Sequence, residues 1–162
     1  MSIGRFLGGI GALLRHPDEN KYLLLRRSSQ KDYGAGHWEC VTGRVDQGEG
    51  FPEALHREVM EELNIRITVD FIIGTSHFYR GAAISENELI GVVYCCTPIS
   101  LDGLRISAEH SEMGWYTAAE AATFLPPDQW LMNSIAHAEF ITAHMPSTLQ
   151  QYYRDTGFDT SK

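Results

Sequence analysis

Three glutamates stand close together in the stretch GRVDQGEGFPEALHREVMEELNI, which runs from residue 43 to residue 65 of this 162-residue chain: Glu58, Glu61 and Glu62. On a helix, Leu55, Val59 and Leu63 fall within an arc of roughly 80°, and the carboxylates fill the neighbouring arc of roughly 100°. Carboxylate oxygens are the ligands that Mg²⁺ prefers, and substrate phosphates can complete its coordination. The alternative is a solvated acidic face, which is the common explanation of charge clusters on helices.

The residues around these glutamates favour a metal site over a solvated face. Gly43 and Gly48 allow the preceding loop to fold tightly with its backbone exposed. Two further charged residues belong to the segment: Glu49 at the end of the loop and Arg57 directly before Glu58. A site of this composition can bind divalent ions, lower the pKa of a water molecule and stabilise charge as a phosphorus–oxygen bond breaks.

The same stretch resembles the Nudix box, G-x5-E-x7-R-E-U-x-E-E-x-G-U, where U is an apolar residue. Eight of its nine specified positions are matched in order: Gly43, Glu49, Arg57, Glu58, Val59, Glu61, Glu62 and Ile65. Asn64 stands where the pattern has glycine. Because Asn tolerates the left-handed conformation that ends a helix, this departure affects neither the fold nor the metal ligands.

The resemblance implies a fold, an activity and a set of roles. Nudix hydrolases cleave nucleoside diphosphates linked to another group, through attack of water on phosphorus, and they have an α+β fold, an α/β/α sandwich with a mixed β-sheet. By this likeness the three glutamates bind Mg²⁺ or Mn²⁺, and the main-chain carbonyl of Thr42 or Gly43 is a further ligand. Arg57 holds the carboxylates in place, Glu49 among them.

Two further motifs resemble the branch of the family that hydrolyses dihydroneopterin triphosphate and nucleoside triphosphates. The chain has Val41-Thr42-Gly43 where many relatives have Pro-Gly-Gly, and EHSEMGW places Glu109 and His110 ahead of Trp115. This likeness implies a triphosphate substrate and release of pyrophosphate. It also makes Glu109 an additional metal ligand or base, although an ordinary surface glutamate in a loop is the alternative.

Candidate substrate contacts rest on weaker signals. Three cationic residues can pair with phosphates, although solubility of an edge strand explains them equally well: Arg26, Arg27 and Lys31. Trp38, Phe78 and Tyr79 can stack on a base or pterin, but aromatic residues in strands more often belong to the core. Asn133 is a substrate contact by the resemblance alone. His77 and His110 are expected to be hydrogen-bonded structural histidines rather than bases.

Other functions stay open at this stage. The chain lacks the proline that many ADP-ribose pyrophosphatases carry after the box, and Tyr79 only loosely matches a tyrosine of diadenosine polyphosphate hydrolases. A non-catalytic nucleotide-sensing module is a second class, although such modules usually lose acids of the box, and this chain keeps them. A prenyl diphosphate isomerase on the same fold is a third, and no suitable cysteine and glutamate pair supports it.

The composition predicts one globular domain with a small-molecule substrate. Apolar residues make up 43% of the chain and charged residues 21%, as in folded proteins. A net charge of −8 disfavours binding to a nucleic-acid polymer or a membrane. Three cysteines without a C-x-x-C pattern suit a reducing compartment, so we expect a cytoplasmic protein, monomeric or homodimeric. The expected division is a Nudix domain at 1–145 and a polar surface tail at 146–162.

Hydrophobic patterning places the elements around the acidic segment. IGALL and YLLLRR flank the turn-rich HPDENK and are predicted to form a hairpin, and WECV is predicted as a short buried strand. A glycine-rich loop over 43–50 leads into a helix from about Pro52 to Leu63. Further strands are IRITVDFIIG, SHFYR and LIGVVYCCTPI. TAAE at Thr117 is a capping box, and a last helix begins near Asp128.

Overall fold

The computed structural model describes residues 4–30 and 34–161. Along the described chain the elements are β1 (Leu7–Leu14), β2 (Tyr22–Arg27), β3 (Trp38–Glu39), β4 (Val41–Arg44), α1 (Phe51–Leu63), β5 (Ile67–Tyr79), β6 (Glu88–Pro98), β7 (His110–Tyr116), α2 (Ala118–Ala121), α3 (Trp130–His144) and α4 (Ser147–Thr156). Within these residues no helix has the length and apolar character needed to cross a membrane.

The strands form two sheets. The larger has the order β4-β1-β6-β5, in which β1 and β6 run parallel and the other neighbours are antiparallel. The smaller is antiparallel, with the order β3-β2-β7. The prediction of an α+β fold with a mixed sheet is therefore confirmed.

Helices cover both faces of the larger sheet. Alternate residues of a strand point to opposite faces, and β1 sends Ala12 into one core cluster and Leu13 into another. The first cluster contains α1 residues such as Leu55, and the second contains α3 residues such as Leu131. This arrangement is the predicted α/β/α sandwich, and it leaves α1 with one apolar face and one free face.

Three local predictions about strands were wrong. The segment WECV, predicted as one short strand, is divided between β3 in the smaller sheet and β4 in the larger sheet, and β4 also takes Gly43 and Arg44 from the predicted loop over 43–50. The predicted hairpin does not form, because β1 pairs with β4 and β6 on its two edges and meets β2 only through an isolated bridge between Arg15 and Tyr22. The segments predicted as two strands, IRITVDFIIG and SHFYR, are one strand, β5, with register shifts between Val69 and Phe71 and between Ile72 and Gly74. Such irregularities bend a strand without ending it.

Helix α1 begins and ends as the sequence predicts. Gly50 is the N-cap residue and Pro52 lies in the first turn, where a missing N–H leaves no hydrogen bond unmade. At the other end Asn64 adopts a left-handed conformation, with φ 58° and ψ 32°, and its N–H donates to the carbonyl of Met60. Asn64 thus adopts the left-handed conformation for which the box pattern has glycine.

The segment predicted as a polar tail contains helix α4. None of its residues is buried, in agreement with a surface position. Its contacts with β5 include an ion pair at 3.0 Å between Arg154 and the buried carboxylate of Asp70. The sequence prediction missed this helix because most of its residues are polar, and the division at residue 145 stays a prediction.

We predict that the left-handed conformation of Asn64 determines which substitutions this position tolerates. Asn64→Ala should lower the free energy of unfolding by about 1–2 kcal/mol, since alanine lacks the short polar side chain that lets asparagine tolerate the left-handed conformation, and the side-chain bond from Asn64 Nδ2 to the carbonyl of Gly103 is also lost. Asn64→Gly loses the same bond without the strain and should cost clearly less. Urea denaturation of both variants measures this difference. Equal losses would show that the hydrogen bond, and not the backbone conformation, determines the cost.

Candidate active site

Arg57 organises the acidic end of α1. Its Nε and Nη2 donate to the two oxygens of Glu49 at 2.8 and 2.9 Å, and its Nη1 donates to Glu58 at 2.9 Å and to Glu61 at 3.4 Å. Nη2 also donates to the carbonyl of Arg44 at 2.9 Å. The hydrogen bonds from Arg57, aided by the N–H of Asp46, hold the pKa of Glu49 at about 2. The arginine therefore links the loop before α1 to the carboxylates on it.

Glycine at position 43 is required by the close approach of Glu58. A Cβ added to Gly43 would collide with the Glu58 side chain. The strand β4 and the helix α1 can therefore approach closely, which brings the carboxylate beside the main chain of Thr42 and Gly43. Burial raises the pKa of Glu58, against the opposing influence of Arg57.

Glu62 is a buried carboxylate whose described ion-pair contact is the imidazole of His110, 3.9 Å away. The residue is 5% exposed, and its Oε2 has no hydrogen-bond partner among the described residues. Burial, followed by the charges of Glu39, Glu58 and Glu109, raises its pKa to about 9, and Arg27 only partly opposes this. A bound cation would satisfy the free oxygen and offset the repulsion, so the residues present fit a divalent metal ion.

Glu39 is a functional candidate that the sequence reasoning missed. Its carboxylate accepts two hydrogen bonds from Nη1 of Arg27, at 2.9 and 3.1 Å, and one from the hydroxyl of Thr42 at 3.2 Å. Nε2 of His110 lies 3.0 Å from it, and Nδ1 of the same ring lies 3.9 Å from Oε2 of Glu62. A sequence signal for Glu39 was available. It is an acid within WECV, the segment predicted as a short buried strand, and a buried charge needs partners.

A cavity of about 1070 Å³ opens beside these groups, between the two sheets and α3. The sequence-predicted site residues that line it are Arg27, Trp38, Thr42, Gly43, Glu58, Phe78, Glu109 and Asn133. Glu61 and Glu62 are outside the described lining: Glu62 is buried, and Glu61, with a side chain 59% exposed, contacts Arg57. The structure thus brings part of the box, the additional glutamate and one predicted residue of α3 around one space.

Other predicted substrate contacts lie elsewhere. The side chain of Arg26 bonds the carbonyl of Gly36 and pairs with Glu112 at 3.5 Å, and Tyr79 packs its ring edge against His77. Neither Arg26 nor Tyr79 belongs to the described lining of the cavity. Lys31 falls outside the described residues.

The cavity also presents residues that the sequence analysis did not select. Gln129 and His137 of α3 line it on the same helical face as Asn133, which is the face that a spacing of four residues indicates. Arg44 and Arg80 add positive charge to the lining. Nε2 of Gln129, the N-cap residue of α3, donates to the carbonyl of Trp38, so the start of α3 is joined to strand β3 at the cavity.

The carboxylates are close but not arranged as a completed metal cage. In the described part of the chain, no three aspartate, glutamate, histidine or cysteine side chains converge as such a cage. The oxygens that face the cluster from Glu58 and Glu61 bond Arg57 instead. The set of metal ligands predicted from the sequence therefore stays a prediction.

Comparison with known proteins identifies the class. The chain matches the family model of the NUDIX domain over residues 6–137. A dihydroneopterin triphosphate diphosphatase from Escherichia coli K12 is 38% identical over 119 residues, covering 65% of this chain and 74% of that protein. An octanoyltransferase from Myxococcus xanthus is 28% identical over 109 residues, and the chain spans only 29% of that protein's length.

The fold agrees with this match. A MutT protein from Methanosarcina mazei Go1 has a solved structure that superposes with a TM-score of 0.69, at 23% identity, covering 90% of this chain and 100% of that one. At this identity the likeness establishes the fold alone. Because the family model spans most of the sequence, the chain belongs to the NUDIX domain family, as its box predicts, and it is an enzyme of the Nudix pyrophosphohydrolase class.

We predict that Glu62 makes the metal-free protein less stable as the pH rises. Its pKa is about 9 in the folded state, against 4.5 as the ordinary value. Between these values the folded chain keeps a proton that the unfolded chain has released, so stability falls with rising pH across this window. Glu62→Gln cannot ionise, and with EDTA its Tm should exceed that of the native protein at pH 8 by several degrees, about 2–4 °C for each kcal/mol.

The difference in Tm between Glu62→Gln and the native protein should shrink towards pH 5, because the Glu62 carboxyl of the native protein is then increasingly protonated in the unfolded chain as well as in the folded one. Glu61→Gln is the matched control, because its side chain is 59% exposed and solvent screens its charge. Thermal unfolding between pH 5 and pH 9 measures all three proteins. Parallel pH profiles for Glu62→Gln and the native protein would contradict the assignment.

Proposed function

We propose that this enzyme is a metal-dependent hydrolase that cleaves a phosphoanhydride bond of a nucleoside triphosphate or a pterin triphosphate and releases pyrophosphate. The observation that carries the proposal is the uncompensated Glu62 carboxylate, buried among other acids beside a cavity large enough for such a substrate. The 38% identity to a dihydroneopterin triphosphate diphosphatase supports this substrate class.

The proposed cofactor is Mg²⁺ or Mn²⁺, which the chain's hard oxygen ligands suit. The proposed ligands are the carboxylates of Glu58, Glu61, Glu62 and Glu109 and the main-chain carbonyl of Thr42. When bound, divalent ions supply charge neutralisation at the phosphates and a lower pKa for water. Arg57 keeps the carboxylates together, and its bond to Glu49 fixes the loop that leads into α1.

The protein's own acids accept the proton from the attacking water. Glu62, Glu61 and Glu109 are the candidates for this role. Because the charges of Glu58 and Glu109 act on Glu62, the protonation of Glu62 is coupled to its neighbours, and one residue is not singled out as the base. His110 is held between Glu39 and Glu62, and we assign it to positioning the site.

The cavity suggests how a substrate lies. Arg27 and Arg44 line it near the carboxylates and are suited to the phosphate chain, since Arg donates to two oxygens at once. Asn133 lines it on α3, where its amide can bond the edge of a base or pterin ring. Trp38 offers an aromatic surface to that ring. A small charged substrate agrees with a cytoplasmic enzyme whose net charge of −8 opposes binding to nucleic-acid polymers.

The decisive test is a substrate panel. Pyrophosphate and phosphate release with Mg²⁺ is measured for the eight common nucleoside triphosphates, dihydroneopterin triphosphate, ADP-ribose and diadenosine tetraphosphate. We expect pyrophosphate from at least one triphosphate, and we expect Glu62→Gln, which is nearly isosteric, to lose far more than tenfold in rate. A loss below tenfold, about 1.4 kcal/mol, would argue against an essential Glu62.

Other outcomes of the panel select the alternatives. Turnover of ADP-ribose or diadenosine tetraphosphate alone would assign another diphosphate-linked substrate. Tight nucleotide binding in calorimetry with no product from any compound would indicate a sensing module and refute the proposed reaction. Arg26→Ala is a control, because this exposed side chain lies outside the described lining of the cavity, and we expect it to retain native turnover.

We predict that Arg57→Lys weakens metal binding although it keeps the positive charge. A lysine can donate to one carboxylate but cannot span both oxygens of Glu49 while bonding Glu58. Mn²⁺ affinity, measured by electron paramagnetic resonance, should fall about 10–100-fold, as for other residues that orient metal ligands. Arg66→Lys, an exposed position just beyond α1, should bind Mn²⁺ like the native protein. Unchanged affinity in Arg57→Lys would show that charge alone suffices.

A further inference from the structure

The chain continues past the part that matches the family. The match ends at residue 137, whereas α3 runs to His144 and α4 follows at Ser147–Thr156. We call residues 147–161 the C-terminal strap. Its path leads away from the cavity along β5 and then back towards the N-terminus of α1, the helix that carries the acidic cluster.

The first half of the strap is anchored on β5 by a buried acid. Asp70 is 3% exposed, and its carboxylate accepts a hydrogen bond from the hydroxyl of Thr97 at 2.6 Å and one from Nη2 of Arg154 at 3.0 Å. A buried carboxylate needs such partners, so the site favours one position of α4 on the sheet.

The second half is anchored by an aromatic residue. Phe158 stacks on Tyr153, with ring centroids 4.7 Å apart and planes at 14°, and meets the ring of Tyr94 edge-on at 6.1 Å. It also packs against the core cluster that contains Ala54 and Leu55 of α1. The strap and α1 therefore pack on the same core cluster.

The next residue reaches the start of α1. Oδ2 of Asp159 lies 3.7 Å from the position that a Cβ would occupy on Gly50, the N-cap of the helix, and Oε2 of Glu53, in the first turn, lies nearer to it at 2.5 Å. The other oxygen of Asp159 accepts hydrogen bonds from the N–H and the hydroxyl of Ser161. Asp159 therefore adds a second carboxylate to the one that α1 itself places at this end. A negative charge is favourable there, because the first N–H groups of a helix carry partial positive charge. Gly50 directly follows Glu49, whose carboxylate holds Arg57. Asp159 of the strap thus lies beside Gly50, which is one residue along the chain from the Glu49 carboxylate that holds Arg57.

We infer that Phe158 and Asp159 are positioning residues for the active site: the strap fixes the loop over 45–50 and the first turn of α1, and through Glu49 and Arg57 it fixes the carboxylates. The catalytic consequence rests on the proposed function, whereas the effect on the loop does not. A segment outside the family match then contributes to the geometry of the site without touching the substrate.

The test compares three variants of the full chain. Phe158→Ala removes the packing, and Asp159→Asn removes the charge while leaving the packing intact. Tyr152→Ala is the matched control: this tyrosine of the strap is 59% exposed and touches the ring of Tyr153, but it belongs to neither described core cluster. Hydrogen exchange by mass spectrometry reports on the loop over 45–50, Mn²⁺ affinity reports on the carboxylates, and kcat and KM are measured with the triphosphate that the panel identifies.

In Phe158→Ala we expect faster exchange in this loop and in the first turn of α1, about threefold or more, with exchange in the β1 and β6 core unchanged. Mn²⁺ affinity should fall about tenfold, and kcat should fall while KM stays within about twofold, since the positioned groups act on the reaction and not on substrate capture. Asp159→Asn should change each quantity in the same direction by less, and Tyr152→Ala should match the native protein.

Two results would overturn the inference. One is that Phe158→Ala and Asp159→Asn both behave like Tyr152→Ala in exchange and in Mn²⁺ affinity. The other is that exchange rises evenly across the whole protein, which would assign the strap to global stability alone. Should Phe158→Ala fail to fold, the same comparison is decided by Asp159→Asn. Because exchange and Mn²⁺ binding need no substrate, they report on the strap even if the panel yields no product.

Discussion

The active site depends on holding several like charges together. Two carboxylates 4 Å apart repel by about 4 kcal/mol at the effective dielectric of a protein surface, and the acidic end of α1 gathers Glu58, Glu61 and Glu62. Arg57 makes this arrangement possible, because its planar guanidinium donates to Glu49, Glu58 and Glu61 at once. The fork also bonds the carbonyl of Arg44. The loop, strand β4 and helix α1 therefore meet at one side chain.

Among the described contacts, Arg57 bonds Glu58 and Glu61 but not Glu62. Glu62 lies deeper than the other box acids, beside Glu39 and His110, where burial favours the neutral form. A protein optimised for stability alone would place an apolar residue on this face of α1. The folded state instead keeps an acid whose charged form it disfavours. In the function that we propose, a bound cation would offset that cost, so stability is given up at the position where the reaction would need positive charge.

The acidic cluster was predictable from sequence because it is local. Its members share one helix and one loop, so spacing alone brings them to one face, and Asn64 and Pro52 mark the helix ends by their own backbone preferences. The sheet was less predictable. IGALL and YLLLRR look like a hairpin, but both edges of β1 are taken by strands distant in the chain, and nothing in the local pattern records that competition. Arg26 and Arg27 looked equivalent, yet only Arg27 lines the described cavity.

The same distinction explains why the box identifies the reaction class but not the substrate. The box supplies the carboxylates, whereas most of the ring and phosphate contacts that we propose come from β2, β3 and α3, which are far apart in sequence. Glu39 belongs to this second group, since its partners Arg27 and His110 lie on β2 and β7. Substrate choice is therefore a property of the cavity wall, and the 38% identity to one relative bears on it more than the box does.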